Sequence, residues 1–447
     1  MIISVIISLF IGRVFAGIMD EFSSIFQVIN NSKPGSIINL SDMRIKVSAT
    51  EDIMGDLTEG TYYIFFPKDI DIKRTDTMPY KKDYPNLHLN LPLSIDSSPV
   101  VYLVVSDQPE SITETNVYLD KPGPAIDGLY QYSTVPKGKR FRFLADHFND
   151  SKLTKWVKIF LTSKEDAKVI IHKKGSGVAD NSVVSGTIAE TLSRNTILTE
   201  HLDLKAGIPY LLESIGPLKP GQTAVAWYEM TPTESVSVRT VVTDRDKLVN
   251  PTEDELNQLP KLKSFLWKDK EEKLKKIVKK EDYPSRYARV MESFIHARGI
   301  FKNPDRYCVS VYDFKKNPYW IQFYSPFEYI EGSDELTADG IPVKTNNRGN
   351  YGCYVRTNIK IKSLPEGCKN IAVFAVNNSD TIGGLFTTSL NNITGETVIM
   401  NKNTEIMKNN KAVLLWKGEA GKNSDLNIQF YSLANTSVRM WYMLIPY

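Results

Sequence analysis

The stretch Pro136-Lys137-Gly138-Lys139-Arg140-Phe141-Arg142-Phe143-Leu144 returns, in altered form, as Pro365-Glu366-Gly367-Cys368-Lys369-Asn370-Ile371-Ala372-Val373. Each copy sets a Pro-x-Gly turn directly before a strand-like run. An Asn-containing loop follows each, Asn149-Asp150-Ser151 and Asn378-Ser379-Asp380, at the same distance from its Pro. Farther on, Trp227-Tyr228 and Trp441-Tyr442 close the two units, with turns read at Lys205-Ala206-Gly207 and Lys417-Gly418. Such recurrence predicts two copies of one β-rich domain.

A chain of 447 residues has room for two to four domains. Its 22 Tyr and 19 Phe, with recurrent Val, Ile and Thr, favour strands over helices. The expected fold is all-β: two related β-sandwich domains, jelly-roll or Ig-like, joined by a short helical segment. The division reads 1–31 as a signal peptide or amphipathic helix, 32–113 as an N-terminal β region, and 114–248 as the first sandwich. Residues 249–304 form a Lys-rich helical linker, and 305–447 the second sandwich.

The apolar run Met1–Ile11, followed by Val14-Phe15-Ala16, has the form of a signal peptide, although Arg13 interrupts it and no Lys or Arg precedes it. The competing pattern is Ile18, Met19, Phe22, Ile25, Phe26 and Ile29, spaced by three and four as on an amphipathic helix. No stretch is long enough for a transmembrane span. The expected location is secreted or at the cell surface.

Within 32–113, Thr61–Phe66 reads as a strand stopped by Pro67, and Val100–Val105 as another. This region forms either a small domain or extra strands for the sandwich after it. In the linker, Asn250 is placed as helix cap with Pro251 in the first helical position. Lysines crowd 261–280, where the helix is either a solvated spacer or a surface for polyanions.

With 55 basic and 52 acidic residues the net charge is +3, too small to imply a nucleic acid partner. The basic residues Lys137, Lys139, Arg140 and Arg142 lose most of their charge in the second copy, so they read as a solvated face.

Catalytic signatures are missing: there is no GxSxG, Walker-type loop, HExxH or EF-hand loop, and the five His are scattered. Tyr319-Trp320, with Tyr324 close behind, is the best aromatic platform for a sugar, and core packing accounts for the same residues. No cofactor is called for. Calcium is the ion that the acidic run around Asp334 and Glu335, or the loop His147–Ser151, would suit, and turn chemistry explains both. Cys353 and Cys368 are placed on neighbouring strands as a candidate disulfide, with Cys308 left over; three buried thiols are the alternative.

Duplicated β domains without an evident active site point to an exported surface or assembly protein, acting as a homo-oligomer or with a surface partner. The alternatives are a carbohydrate-binding accessory protein with a polysaccharide partner, and an enzyme whose site is assembled from residues distant in sequence.

Overall fold

The computed structural model describes residues 25–39, 61–65, 73–77, 100–107, 111–113, 127–180, 186, 188, 189, 200–261, 298–302, 304–315, 321–324, 330–336, 342–347, 351–377, 384–391, 393–400, 411–421, 423–432 and 440–447. The chain is all-β. Its strands are β1 (Ile37–Asn39), β2 (Thr61–Phe65), β3 (Lys73–Thr77), β4 (Tyr102–Ser106), β5 (Ser111–Ile112), β6 (Gly128–Val135), β7 (Phe141–Asn149), β8 (Lys155–Ser163) and β9 (Ala167–Ala179). There follow β10 (Glu200–Leu204), β11 (Tyr210–Leu218), β12 (Thr223–Pro232), β13 (Val236–Thr243), β14 (Arg298–Lys302), β15 (Arg306–Asp313), β16 (Ile321–Tyr324), β17 (Ile330–Leu336) and β18 (Pro342–Asn347). The last are β19 (Tyr354–Ser363), β20 (Asn370–Asn377), β21 (Gly384–Leu390), β22 (Ile393–Met400), β23 (Lys411–Glu419), β24 (Ser424–Ser432) and β25 (Met440–Pro446).

Two pairs of sheets enclose two cores. In the first pair, the order β10-β9-β12-β7-β4-β14 faces β11-β8-β13-β6. Alternate residues of both sheets meet between them, among them Phe141, Phe143 and Ala145 of β7, Tyr228 and Met230 of β12, and Val157, Ile159 and Leu161 of β8. This is the period of two that a strand imposes on its side chains. In the second pair, β1-β23-β20-β25-β16-β2-β3 faces β15-β19-β24-β21-β22. Ile371, Val373, Ile359, Phe386 and Phe430 lie in the core between them.

The strand orders correspond. Read as β6-β13-β8-β11, the smaller sheet of the first pair matches β19-β24-β21-β22 of the second, and the antiparallel pair β7/β12 matches β20/β23. Both Pro-x-Gly turns are present, with Gly138 and Gly367 at φ 68° and 86°, a region that favours glycine. The closing landmark, however, differs from the expected one. The strand that stands in the place of β12 is β23, whose tryptophan is Trp416, while Trp441-Tyr442 lies on β25 at the other side of β20. Lys417-Gly418 belongs to β23 and is not a turn.

The stretch 32–113 is divided between the two pairs. β1 is added to β23, and β2 and β3 extend the opposite edge of the same sheet, whereas β4 and β5 pair with β7. From β1 onward the described strands thus lie first in the second sandwich, then build the first, and return. Residues 25–31 are helical with Ile25 and Ile29 buried, and 1–24 lie outside the described residues.

The helix after the first sandwich runs Glu253–Gln258, and its cap is Thr252, not Asn250. Thr252 and Glu255 form a reciprocal capping box, which satisfies two of the otherwise unpaired N–H groups of the first turn. Leu256 is buried against Leu129, Phe160 and Val241 on the outer face of the smaller sheet. Arg239 secures the helix there, binding Glu253, Asn257 at 3.3 Å and Thr162 at 2.6 Å. The Lys-rich stretch 262–297 lies outside the described residues.

Candidate functional site

The basic stretch that the sequence places on a solvated face is split by the fold. Lys137 and Lys139 are exposed, and Arg140 and Arg142 are buried. Strand alternation is the cause. Phe141 and Phe143 point into the first core, so Arg142 and Leu144 point the other way, where the second sandwich covers them. On β12, paired with β7, Trp227 and Glu229 face the same side, with Glu229 opposite Arg142 in register.

The apolar part of this junction joins Leu103, Val105, Leu144 and Trp227 to Cys353, Tyr354, Leu385 and Tyr431. Trp227 forms T-shaped pairs with Tyr431 and Tyr354, ring centroids 4.7 and 5.9 Å apart, arrangements that suit the ring quadrupoles. The Arg142 guanidinium lies over both Tyr354 (4.3 Å) and Trp227 (4.8 Å).

Arg142 uses its whole donor set. Nε and Nη2 donate to Glu229 Oε1 at 3.1 and 2.9 Å. Nη1 donates to Asp305 Oδ1 at 2.6 Å and to the Gly352 carbonyl at 2.9 Å, and Nη2 reaches Asp305 Oδ2 at 3.4 Å. Gly352 is required at this point: its φ is +73°, and a Cβ would fall 2.8 Å from Leu103 Cδ1. Asp305 also accepts from the backbone N–H of Tyr354 at 3.3 Å, so one carboxylate ties Arg142 to the start of β19. Arg140 Nη2 donates to Glu229 Oε2 at 2.7 Å, and Lys173 Nζ stands 3.8 Å from it.

Burial alone would raise the Glu229 carboxyl, but Arg142, Lys173 and Arg140 outweigh it and hold its pKa down at about 2. Burial lowers the Arg356 pKa, Asp305 opposes the shift, and the nearby Arg142 adds to it. A charged group this enclosed is tolerable only when its partners are fixed. The arrangement can therefore hold two sandwiches in a single orientation. Its two carboxylates, Glu229 and Asp305, are both held by guanidinium groups.

Of the residues singled out in the sequence, Tyr319 and Trp320 lie outside the described residues. Tyr324 ends β16, opposite Tyr442. Asp334 and Glu335 lie on β17 in a hairpin with β18, opposite Lys344 and Val343. Among the described residues no group of three or more His, Cys, Asp or Glu could hold a metal. At the end of β7, Asn149 spends its side chain on structural bonds, accepting from Ser151 N–H at 3.1 Å and donating to the Leu153 and Leu218 carbonyls at 2.8 Å.

Cys353 and Cys368 are separate buried thiols, not a disulfide. They stand at opposite ends of β19, whose ten residues span roughly 30 Å, and a bridge needs Cα atoms within roughly 7 Å. The Pro365–Gly367 turn carries the chain from one sheet to the facing one, so Cys368 lies just before β20 of the other sheet.

The Arg142–Glu229 pair escaped the linear reading. A lone Arg between two Phe, and a lone Glu between Tyr228 and Met230, were the signal for it.

No protein-family model and no curated protein sequence matches the chain. Among solved structures it is similar to the PBSX exported protein XepA, at 9% identity over 72% of this chain and 86% of that one, with a TM-score of 0.15. It is similar too to the secreted serine protease VesC from Vibrio cholerae, at 7% identity over 67% and 49%, with a TM-score of 0.15. A third is the tandem CBM51 modules of a family 98 glycoside hydrolase from Streptococcus pneumoniae, at 10% identity over 77% and 88%, with a TM-score of 0.14. At these scores the likenesses carry no argument.

Proposed function

We propose that this chain is an exported surface or assembly protein, a rigid two-sandwich block that works through contacts with other chains. The observation that carries this reading is the junction around Arg142. Its charged groups are consumed in fixing one sandwich against the other, which is the demand on a building block that must present its edges at constant geometry. The apolar run at 1–11 and the Val14-Phe15-Ala16 end support export, and removal after Ala16 would leave the helical stretch 25–31 intact. No helix among the described residues is long and apolar enough to cross a membrane.

Sedimentation velocity and light scattering across a wide concentration range test the assembly role. The expected result is a mass that rises above that of the monomer, and a chain that stays monomeric up to millimolar concentration would refute it. N-terminal sequencing of secreted material tests export, with Gly17 as the expected first residue. The sugar-binding alternative rests on Tyr319-Trp320, and no described contact favours it.

A further inference from the structure

We infer that the margin of the junction at Arg356 is a binding site for a doubly charged oxyanion, phosphate or sulfate, held by one cation from each sandwich. This goes beyond the assembly reading and does not depend on it.

Alternation and one bulge bring the two cations there. Val355 fills the second core, so Tyr354 and Arg356 project from the opposite face of β19, towards the first sandwich. On β9, Ile171 lies in the first core and pairs with Met230, but a register shift next to it sets Lys173 opposite Glu229. The bulge thus turns Lys173 to the junction side. Arg356 Cζ and Lys173 Nζ stand 5.7 and 5.9 Å from the centre of one ring, that of Tyr354.

Neither cation has its donors filled. Among the described residues the Arg356 guanidinium has no hydrogen-bond or ion-pair partner, and its Nε is buried. The Lys173 ammonium stands 3.8 Å from Glu229, whose oxygens are already taken by Arg140 and Arg142. Burying a guanidinium without acceptors is costly, and a bound acceptor removes that cost.

The charges point the same way. Arg140, Arg142, Lys173 and Arg356 share this region with the carboxylates of Glu229 and Asp305, four positive groups against two negative among the described residues. One dianion balances them. A guanidinium fork presents paired donors to a tetrahedral oxyanion, and an ammonium adds a point charge. Gln429, half-buried and in register with Arg356 on β24, places an amide beside it. Entry stays open, since Arg356 is half-buried and the Lys173 side chain is 30% exposed. With Arg356 on the second sandwich and Lys173 on the first, a bound anion ties the two together.

Isothermal titration calorimetry of the full chain with sodium sulfate and with sodium phosphate, at an ionic strength held constant by sodium chloride, tests the site. The expected result is saturable binding of one anion per chain, weakened about tenfold or more in Arg356→Gln and about threefold in Lys173→Gln. Arg356→Lys, which keeps the charge and loses the fork, should fall between the parent and Arg356→Gln. In chloride alone Arg356→Gln should melt close to the parent, and sulfate should raise the parent's melting temperature by more than the general salt effect seen in the variant. A parent that binds neither anion overturns the site, and so does an Arg356→Gln variant that binds as tightly as the parent. If Arg356→Gln fails to fold, Lys173→Gln and Arg356→Lys decide the matter, and unchanged affinity in both overturns it.

Discussion

Counted from their Pro-x-Gly turns, β7 and β20 run in step but face opposite ways. Leu144 and Val373 each stand eight residues past the Pro, and each lies opposite a tryptophan, Trp227 and Trp416. Leu144 and Trp227 point out of their sandwich into the junction, whereas Val373 lies in its own core with Trp416 packed against it. Because side chains alternate with a period of two, one residue of difference in how the strand enters the sheet exchanges its faces. The position of Arg142, counted from the turn, is held in the second copy by Ile371, which is fully buried in the core. The partner strands differ as well. Ala224-Val225-Ala226-Trp227 is matched by Ala412-Val413-Leu414-Leu415-Trp416, in which Leu415 is an extra residue at a bulge. A repeated turn thus specifies where a strand starts, and leaves open which side it turns to the neighbouring sandwich.

Removing one partner of the junction should separate the two copies most clearly. Glu229→Leu leaves Arg140 and Arg142 buried without their carboxylate, and should cost about 3–5 kcal/mol in urea unfolding. The same variant should change the acid response. The Glu229 pKa is depressed from the ordinary 4.5 to about 2, so its contribution is complete above about pH 4.5 and is lost as the pH falls towards about 2. Unfolding midpoints of the parent should fall across that window, and those of the variant should fall less. If both fall equally, the acid-sensitive group lies elsewhere.

The tryptophans come next. Trp227→Ala should cost about 3–5 kcal/mol, and Trp416→Ala, at a half-buried site, about half as much. Equal losses would contradict the opposite facing of the two strands. The smallest effect is expected where the copies agree. Gly138→Ala and Gly367→Ala each place a side chain at positive φ in open space, and each should cost about 1 kcal/mol. A large difference between them would show that the turns are not equivalent.

Much of the β architecture was legible. Pro136-x-Gly138 and Pro365-x-Gly367 marked real turns, because glycine's tolerance of positive φ is a local property that sequence records. The partner of each turn was not local. The one-residue bulge at Leu415 hid the match between Trp227 and Trp416, and the shared Trp-Tyr dipeptide drew attention to β25. Arg142 was misread because four basic residues close together resemble a solvated patch, although alternation sends Arg142 to the face opposite that of Phe141. Asp305 and Gly352, which complete its coordination, lie 163 and 210 residues away and carry no mark of that role.

The route of the chain also has a consequence for the order of synthesis. Residues 25–39 leave the ribosome early, yet Lys417, which closes the end of their helical stretch, is made 388 residues after Ile29. The first sandwich can condense in the meantime, with Ile25 and Ile29 still awaiting the surface that buries them. The second sandwich is thus the last to close, and its longest-range contacts make it the slow, aggregation-exposed step of folding.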